Sequence, residues 1–169
     1  MTMGTVRRDG DQRAVRFERV FSASLEDVWS ALTKPERLRR WLAEAAFEAR
    51  VGGRVELRFD DGRIEGTVRE LDRPRLLEYD WIEGGKRSVV RFELQRTREG
   101  TLLVLDHRQL PAEAAAGFGA GWHSHLDALD AALHRGETAG DEWWDRFRSL
   151  LPAYEKAGAA LDPGGSRRR

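Results

Sequence analysis

The sequence predicts an α+β domain in which a curved antiparallel sheet of about seven strands wraps around one long helix near the C-terminus. Three observations carry this. Residues 111–135 repeat apolar side chains at helical spacing: Phe118, Trp122, Leu126, Leu129 and Leu133 form one stripe over about six turns. Nearly everything before that helix alternates apolar and polar residues in short runs separated by glycine turns, the pattern of half-buried strands. Two capped helical segments interrupt the strands after the first one, which is unusual for an all-β chain.

In order, residues 1–13 are rich in Gly, Asp and Arg and are expected to be disordered. Val15, Phe17 and Phe21 then alternate with charged residues in a first strand. Ser24, Glu26 and Asp27 give a helix start, and Leu25, Val28, Trp29 and Leu32 form its apolar face. Pro35 opens a second short helix carrying Leu38, Trp41 and Leu42. Residues 46–51 lead into a Gly52–Gly53 hairpin turn. Val55, Leu57 and Phe59 share one face of the next strand, and Asp60, Asp61 and Gly62 close a second hairpin. Ile64 and Val68, then Leu77, Tyr79 and Trp81, then Val90, Phe92 and Leu94 repeat the alternation. The last strand places Leu103, Leu105 and His107 on one face.

Pro111 and Gly136 bracket the long helix, whose opposite face carries Glu113, His123, Asp127, Asp130 and His134 and is expected to remain in water. Gly117, Gly119 and Gly121 lie within it at a cost of about 1 kcal/mol each relative to Ala. Either the first turns are loose and gate a cavity, or the true helix begins near Gly121 and residues 112–120 form a separate turn. A final helix over 141–157 gathers Trp143, Phe147, Leu150 and Tyr154 on one face, with Trp144 and Leu151 beside them. Pro152 is expected to interrupt or kink it. Residues 158–169 read as a disordered tail. The domain organisation is therefore 14–136 for the main domain and 141–157 for an appended helix.

Composition narrows the function. The 29 basic and 29 acidic residues of the 169 cancel, giving no electrostatic case for nucleic acid or an anionic membrane. Without cysteine there is no disulfide, thiol nucleophile or zinc knuckle. No apolar run approaches the roughly 20 residues of a membrane span, and no secretory signal opens the chain, so a cytoplasmic protein is expected. His123 and His125 are two residues apart and point about 200° apart on a helix, so they do not chelate one metal ion. No phosphate-binding glycine loop or catalytic triad stands out, and neither a cofactor nor a catalytic residue is assigned.

Residues 21–33, FSASLEDVWSALT, resemble the opening signature of START-like (SRPBCC) domains. Pro35 and Glu36 followed by Trp41 and Leu42 are similar to its continuation in the activator of heat-shock-protein-90 ATPase homologues, as are Val51 to Arg54 (VGGR) and the Gly121–Trp122 pair. The resemblance covers roughly residues 14–135. It implies the helix-grip fold and a hydrophobic cavity between sheet and long helix, used in the superfamily for lipids, polyketides and other apolar molecules. No single reaction is implied. The co-chaperone role of eukaryotic relatives normally involves an additional N-terminal domain, which a leader of about a dozen residues is not expected to supply.

The expected ligand-binding set is Val55, Leu57, Phe59, Tyr79, Trp81, Phe92, His107, Phe118, Trp122 and Leu126, with the Tyr79 hydroxyl and Trp122 indole as polar handles. The alternative for His107 is a core-edge histidine bonded to a neighbour, and for the aromatics simple core filling. Three rival functions stand beside binding of a small apolar molecule. An enzyme of cyclase, dehydratase or hydrolase type would need acids in the cavity, whereas Glu56, Glu65 and Glu78 fall on outward positions. A protein-interaction module, or a homodimer, would use Trp143, Trp144 and Phe147. The third is a structural partner in a transcription or stress system.

Overall fold

The computed structural model describes residues 2–162; of the tail expected to be disordered, 163–169 lie outside the described residues, whereas Gly158 and Ala159 complete the last helix and a turn follows at 160–161. The chain runs β1 (Thr5–Asp9), β2 (Gln12–Phe21), α1 (Leu25–Thr33), α2 (Pro35–Trp41), β3 (Glu44–Phe47), β4 (Arg54–Phe59), β5 (Gly62–Asp72), β6 (Leu76–Glu83), β7 (Lys86–Thr97), β8 (Gly100–Leu110), α3 (Ala115–Arg135) and α4 (Glu142–Ala159). The eight strands form one antiparallel sheet in the order β1-β2-β8-β7-β6-β5-β4-β3. β3 to β8 are a meander, and β2 joins it beside β8. This is the α+β helix-grip arrangement, with α3 against the concave face.

Local chemistry sets the boundaries. The Ser24 side chain accepts a hydrogen bond from the Asp27 amide at 3.1 Å and caps α1. Pro35 stands at the start of α2, and the Trp41 indole N–H donates to the Ala31 carbonyl at 2.9 Å, locking α2 onto α1. α3 ends at Gly136, whose φ of 64° suits the left-handed cap. The core is the expected alternation: Val55, Leu57, Leu77, Tyr79, Phe92, Leu103 and Leu105 pack against Trp122, Leu126 and Leu129. On the other face of the sheet Glu56 pairs with Arg54 and Arg58, and Glu78 with Arg91 and Arg108. These carboxylates are outward, as their parity requires, and arginines cover them.

Four further expectations are corrected. Residues 5–9 are not disordered; they form β1, an eighth strand, held by pairing with β2 and by Arg7 on Asp106 at 2.9 Å. The strand expected over 46–51 is shorter and earlier, Glu44–Phe47, and a loop follows it. α3 is continuous from Ala115 through all three glycines, after a short 3-10 turn at Ala112–Ala114, so it does not start near Gly121. Of the face of α3 expected in water, His123 is buried and Asp127 partly so, because α4 covers them, whereas Glu113 and His134 are exposed as expected.

α4 runs through Pro152, which is exposed. Its anchor is Tyr154, with 0 % of its surface exposed. The Tyr154 hydroxyl accepts from the Gly4 amide and bonds His123 Nδ1, both at 2.8 Å. Its ring lies where a side chain at position 119 would be: a Cβ on Gly119 would stand 2.5 Å from Tyr154 Cδ1. Arg19 and Arg146 both reach Asp127, at 2.7 and 2.8 Å, adding a charged clasp between β2, α3 and α4.

Candidate functional site: an aromatic cleft between α3 and α4

Gly117, Gly121 and His125 recur every four residues on α3, and so occupy one face of it, with Phe118 and Trp122 beside them. That face does not meet the sheet squarely. It borders a cleft of about 550 Å³ whose other walls are the end of α2 and the residues that follow it (Trp41, Leu42, Ala43), the β4–β5 hairpin (Phe59), Trp81 of β6, and Trp143, Trp144 and Phe147 of α4. The two glycines explain the opening. A Cβ at either position would find nothing within 4 Å, so open space lies where side chains would otherwise stand.

Of the ten residues expected to bind a ligand, four line this cleft: Phe59, Trp81, Phe118 and Trp122. The other six, Val55, Leu57, Tyr79, Phe92, His107 and Leu126, are fully buried in the packed core behind it. The space between the sheet and the middle of α3 is filled by side chains: Tyr79 lies 5.7 Å from Phe47 and 6.2 Å from Phe92, and Phe92 lies 5.9 Å from Trp122. Burial raises the Tyr79 phenol above its ordinary pKa.

His107 is wholly occupied by structure. The Trp122 indole N–H donates to its Nδ1 at 2.9 Å, which places the ring proton on Nε2. Nε2–H donates to Ser88 Oγ at 2.7 Å, and the Ser88 hydroxyl reaches the Trp81 carbonyl at 3.3 Å. The Ser88–His107 pair resembles a nucleophile and its base, but the proton is on the wrong nitrogen for the histidine to accept one from serine. Burial pushes its pKa down to about 3, so the ring stays neutral. Trp122, expected as a polar handle, spends its N–H here.

Sequence reasoning missed the residues that α4 and α2 bring to the wall, and above all His125. The Trp41 carbonyl at 3.1 Å can only accept, so His125 Nδ1 carries the proton. The ring faces Trp143 at 4.6 Å, Trp122 at 5.8 Å and Phe59 at 5.9 Å, and these surroundings lower its pKa to about 4. Trp143 in turn stacks on Phe147, one turn further along α4, at 5.5 Å and an interplanar angle of 12°. The four-residue repeat of Gly117, Gly121 and His125 was the available signal.

The cleft's polar groups are uneven. Glu44, Asp60, Asp61, Glu83 and Asp141 line it, against Arg39 and Arg58, and Arg58 is already paired with Glu56 at 2.9 Å. Burial, then the charge of Asp61, raises the Glu83 pKa. The indole nitrogens of Trp81 and Trp143 are buried without an acceptor among the described residues. No group of three or more potential metal-binding side chains occurs among the described residues.

Fold and cleft together define a helix-grip domain with a side pocket closed by an extra helix. Residues 22–134 match the family model of the activator of Hsp90 ATPase homolog 1-like proteins, and the chain belongs to that START-like family. No protein of curated function matches it in sequence. Among solved structures, it is similar to CalU16 from Micromonospora echinospora, with 27% identity, a TM-score of 0.77, and 92% of this chain and 95% of that one covered. It is also similar to protein MLL2253 from Mesorhizobium loti, with 30% identity, a TM-score of 0.69, and coverage of 74% and 99%. DynU16, described as a putative protein in the dynemicin biosynthetic locus, shares the fold at 24% identity and a TM-score of 0.69, over 77% of this chain and 49% of that one. No helix among the described residues is long and apolar enough to cross a membrane.

Proposed function

We propose that the protein binds a small, mainly aromatic and uncharged or cationic molecule in the cleft between α3 and α4. The observation that carries this is the pair Gly117 and Gly121. Each costs the helix about 1 kcal/mol relative to alanine, yet neither is required by a neighbour or by an unusual backbone angle. What they supply is room, on the wall that faces Phe59, Trp81, Trp143 and Phe147.

The chemistry of the wall supports the ligand class. Flat aromatic faces favour a flat apolar partner. The surplus of carboxylates disfavours an anion such as a fatty acid. A volume of about 550 Å³ suits a molecule of several fused rings.

Isothermal titration of the full chain with 1-naphthol, a small neutral aromatic probe, tests the proposal. Binding in the natural sequence, abolished by Gly121→Leu in a protein that keeps its helical circular dichroism, is the expected result. Absence of binding to the natural sequence, or undiminished binding to the variant, overturns it.

A further inference from the structure

Among the described residues, His125 is the one titratable side chain on the cleft wall that is both oriented by structure and left with an unused polar atom inside the aromatic surround. Its Nδ1–H is held by the Trp41 carbonyl at 3.1 Å, at the C-terminal end of α2. Its ring is fixed in plane by Trp143 at 4.6 Å on one side and by Phe59 and Trp122 at 5.9 and 5.8 Å. Nε2 makes no hydrogen bond among the described residues, and unlike the Trp81 and Trp143 indole nitrogens it is not sealed from solvent. A neutral imidazole whose Nδ1 is the donor has one lone pair to give, at Nε2. His107 and His123 offer nothing comparable: His107 bonds through both nitrogens, and His123 is covered by α4 and bonded to Tyr154.

We infer that His125 Nε2 is the acceptor that selects the ligand, so that the cleft prefers aromatic molecules bearing a hydrogen-bond donor, a phenolic O–H above all, over the same ring system without one. A phenol suits the rest of the wall, because it carries no charge at neutral pH. Its neutral form meets no repulsion from Asp60, Asp61 and Glu83. The histidine acts here as a specificity-determining contact. Its ring also holds the end of α2 in place, so removing it alters packing as well as recognition.

The inference rests on the aromatic-ligand reading, and the test separates the two. The full chain is titrated with 1-naphthol and with 1-methoxynaphthalene, which has the same rings and no donor. One hydrogen bond predicts about 3- to 10-fold tighter binding of naphthol. His125→Phe, which keeps a flat ring against Trp143, is expected to bring the two affinities together, mainly by weakening naphthol. A readout independent of any variant's folding is the imidazole nitrogen spectrum of the natural protein. Naphthol should move the resonance of an unprotonated histidine nitrogen, and the methyl ether should leave it in place. Equal affinities for the two probes, or no movement of that resonance at saturating naphthol, overturns the inference while leaving the aromatic pocket intact. Binding of neither probe overturns both.

Discussion

Two of the three glycines of α3, Gly117 and Gly121, face open space and the third, Gly119, faces Tyr154, so alanine should act differently at 119 from the way it acts at 117 and 121. Gly117→Ala and Gly121→Ala add a methyl group to open space in a helix that already has ordinary helical geometry. Each should stabilise the protein by about 0.5–1 kcal/mol, through the lower entropy of the unfolded chain and better helix propensity. For a chain of this length that is a rise in Tm of roughly 2–4 °C per kcal/mol. Gly119→Ala gains the same helical term but drives a Cβ to 2.5 Å from Tyr154 Cδ1, 2.9 Å from Cγ and 3.0 Å from Cε1.

The Tyr154 ring has little freedom to retreat, being fully buried and pinned through its hydroxyl to Gly4 and His123. Overpacking of this kind costs about 1–3 kcal/mol, so the Gly119 variant should end about 1–3 kcal/mol below the Gly121 variant. Urea denaturation followed by circular dichroism measures all three. A cycle with Tyr154→Leu should remove most of the Gly119 penalty, because the offending ring is gone. Three alanine variants shifted equally in one direction would refute the assignment of open space to 117 and 121 and close packing to 119.

Two further outcomes follow from the buried histidines and from α4. His107 is buried and neutral with a pKa pushed down to about 3, against about 6.5 when unfolded; below pH 6.5 the unfolded chain therefore binds a proton that the folded one refuses, and stability falls on acidification. From pH 7 to 5 this removes about 2 kcal/mol, with His123 and His125 acting in the same direction down to about pH 4, and unchanged urea midpoints at pH 7 and 5 would contradict it. Truncation after Gly140 should expose His123 and the apolar side of α3, raise binding of a hydrophobic dye and lower the melting temperature; an equally stable, equally soluble truncated protein would show that α4 is not docked.

The fold was legible because its signals are local. Ser24 and Pro35 mark helix starts, and strand parity placed Leu103, Leu105 and His107 inside, where all three have 0 % exposure. The site was legible only in part. Parity identifies which side of a strand faces inward, but not whether the interior is filled there, and the large rings of Tyr79, Phe92 and Trp122 fill it. β1 was missed because TVRRD offers one apolar residue, Val6, and takes its order from its partner strand and from Arg7. His123 was assigned to water because α3's own periodicity carries no information about the helix that later covers its second face. His125 was weighed only as half of a metal pair with His123. Its distinguishing contacts, the Trp41 carbonyl and the Trp143 ring, come from elements 84 and 18 residues away in sequence.

α4 therefore has a part in both halves of the molecule's chemistry. The family match ends at residue 134, and the shared domain alone contributes Phe59, Trp81, Phe118, Trp122 and His125 to the cleft. α4 begins beyond it and supplies Trp143, Trp144 and Phe147, so one wall lies outside the part that the family model describes. Its far end is fixed by Tyr154 against Gly119, while its near end stacks Trp143 on His125 and Phe147. The glycine at 119 seats the helix, and those at 117 and 121 leave room beneath it. A single segment of α3 thus sets both where the appended helix docks and how much space remains in the cleft, and under the proposed function exchange of the α4 aromatics should alter ligand preference without altering the fold of the sheet.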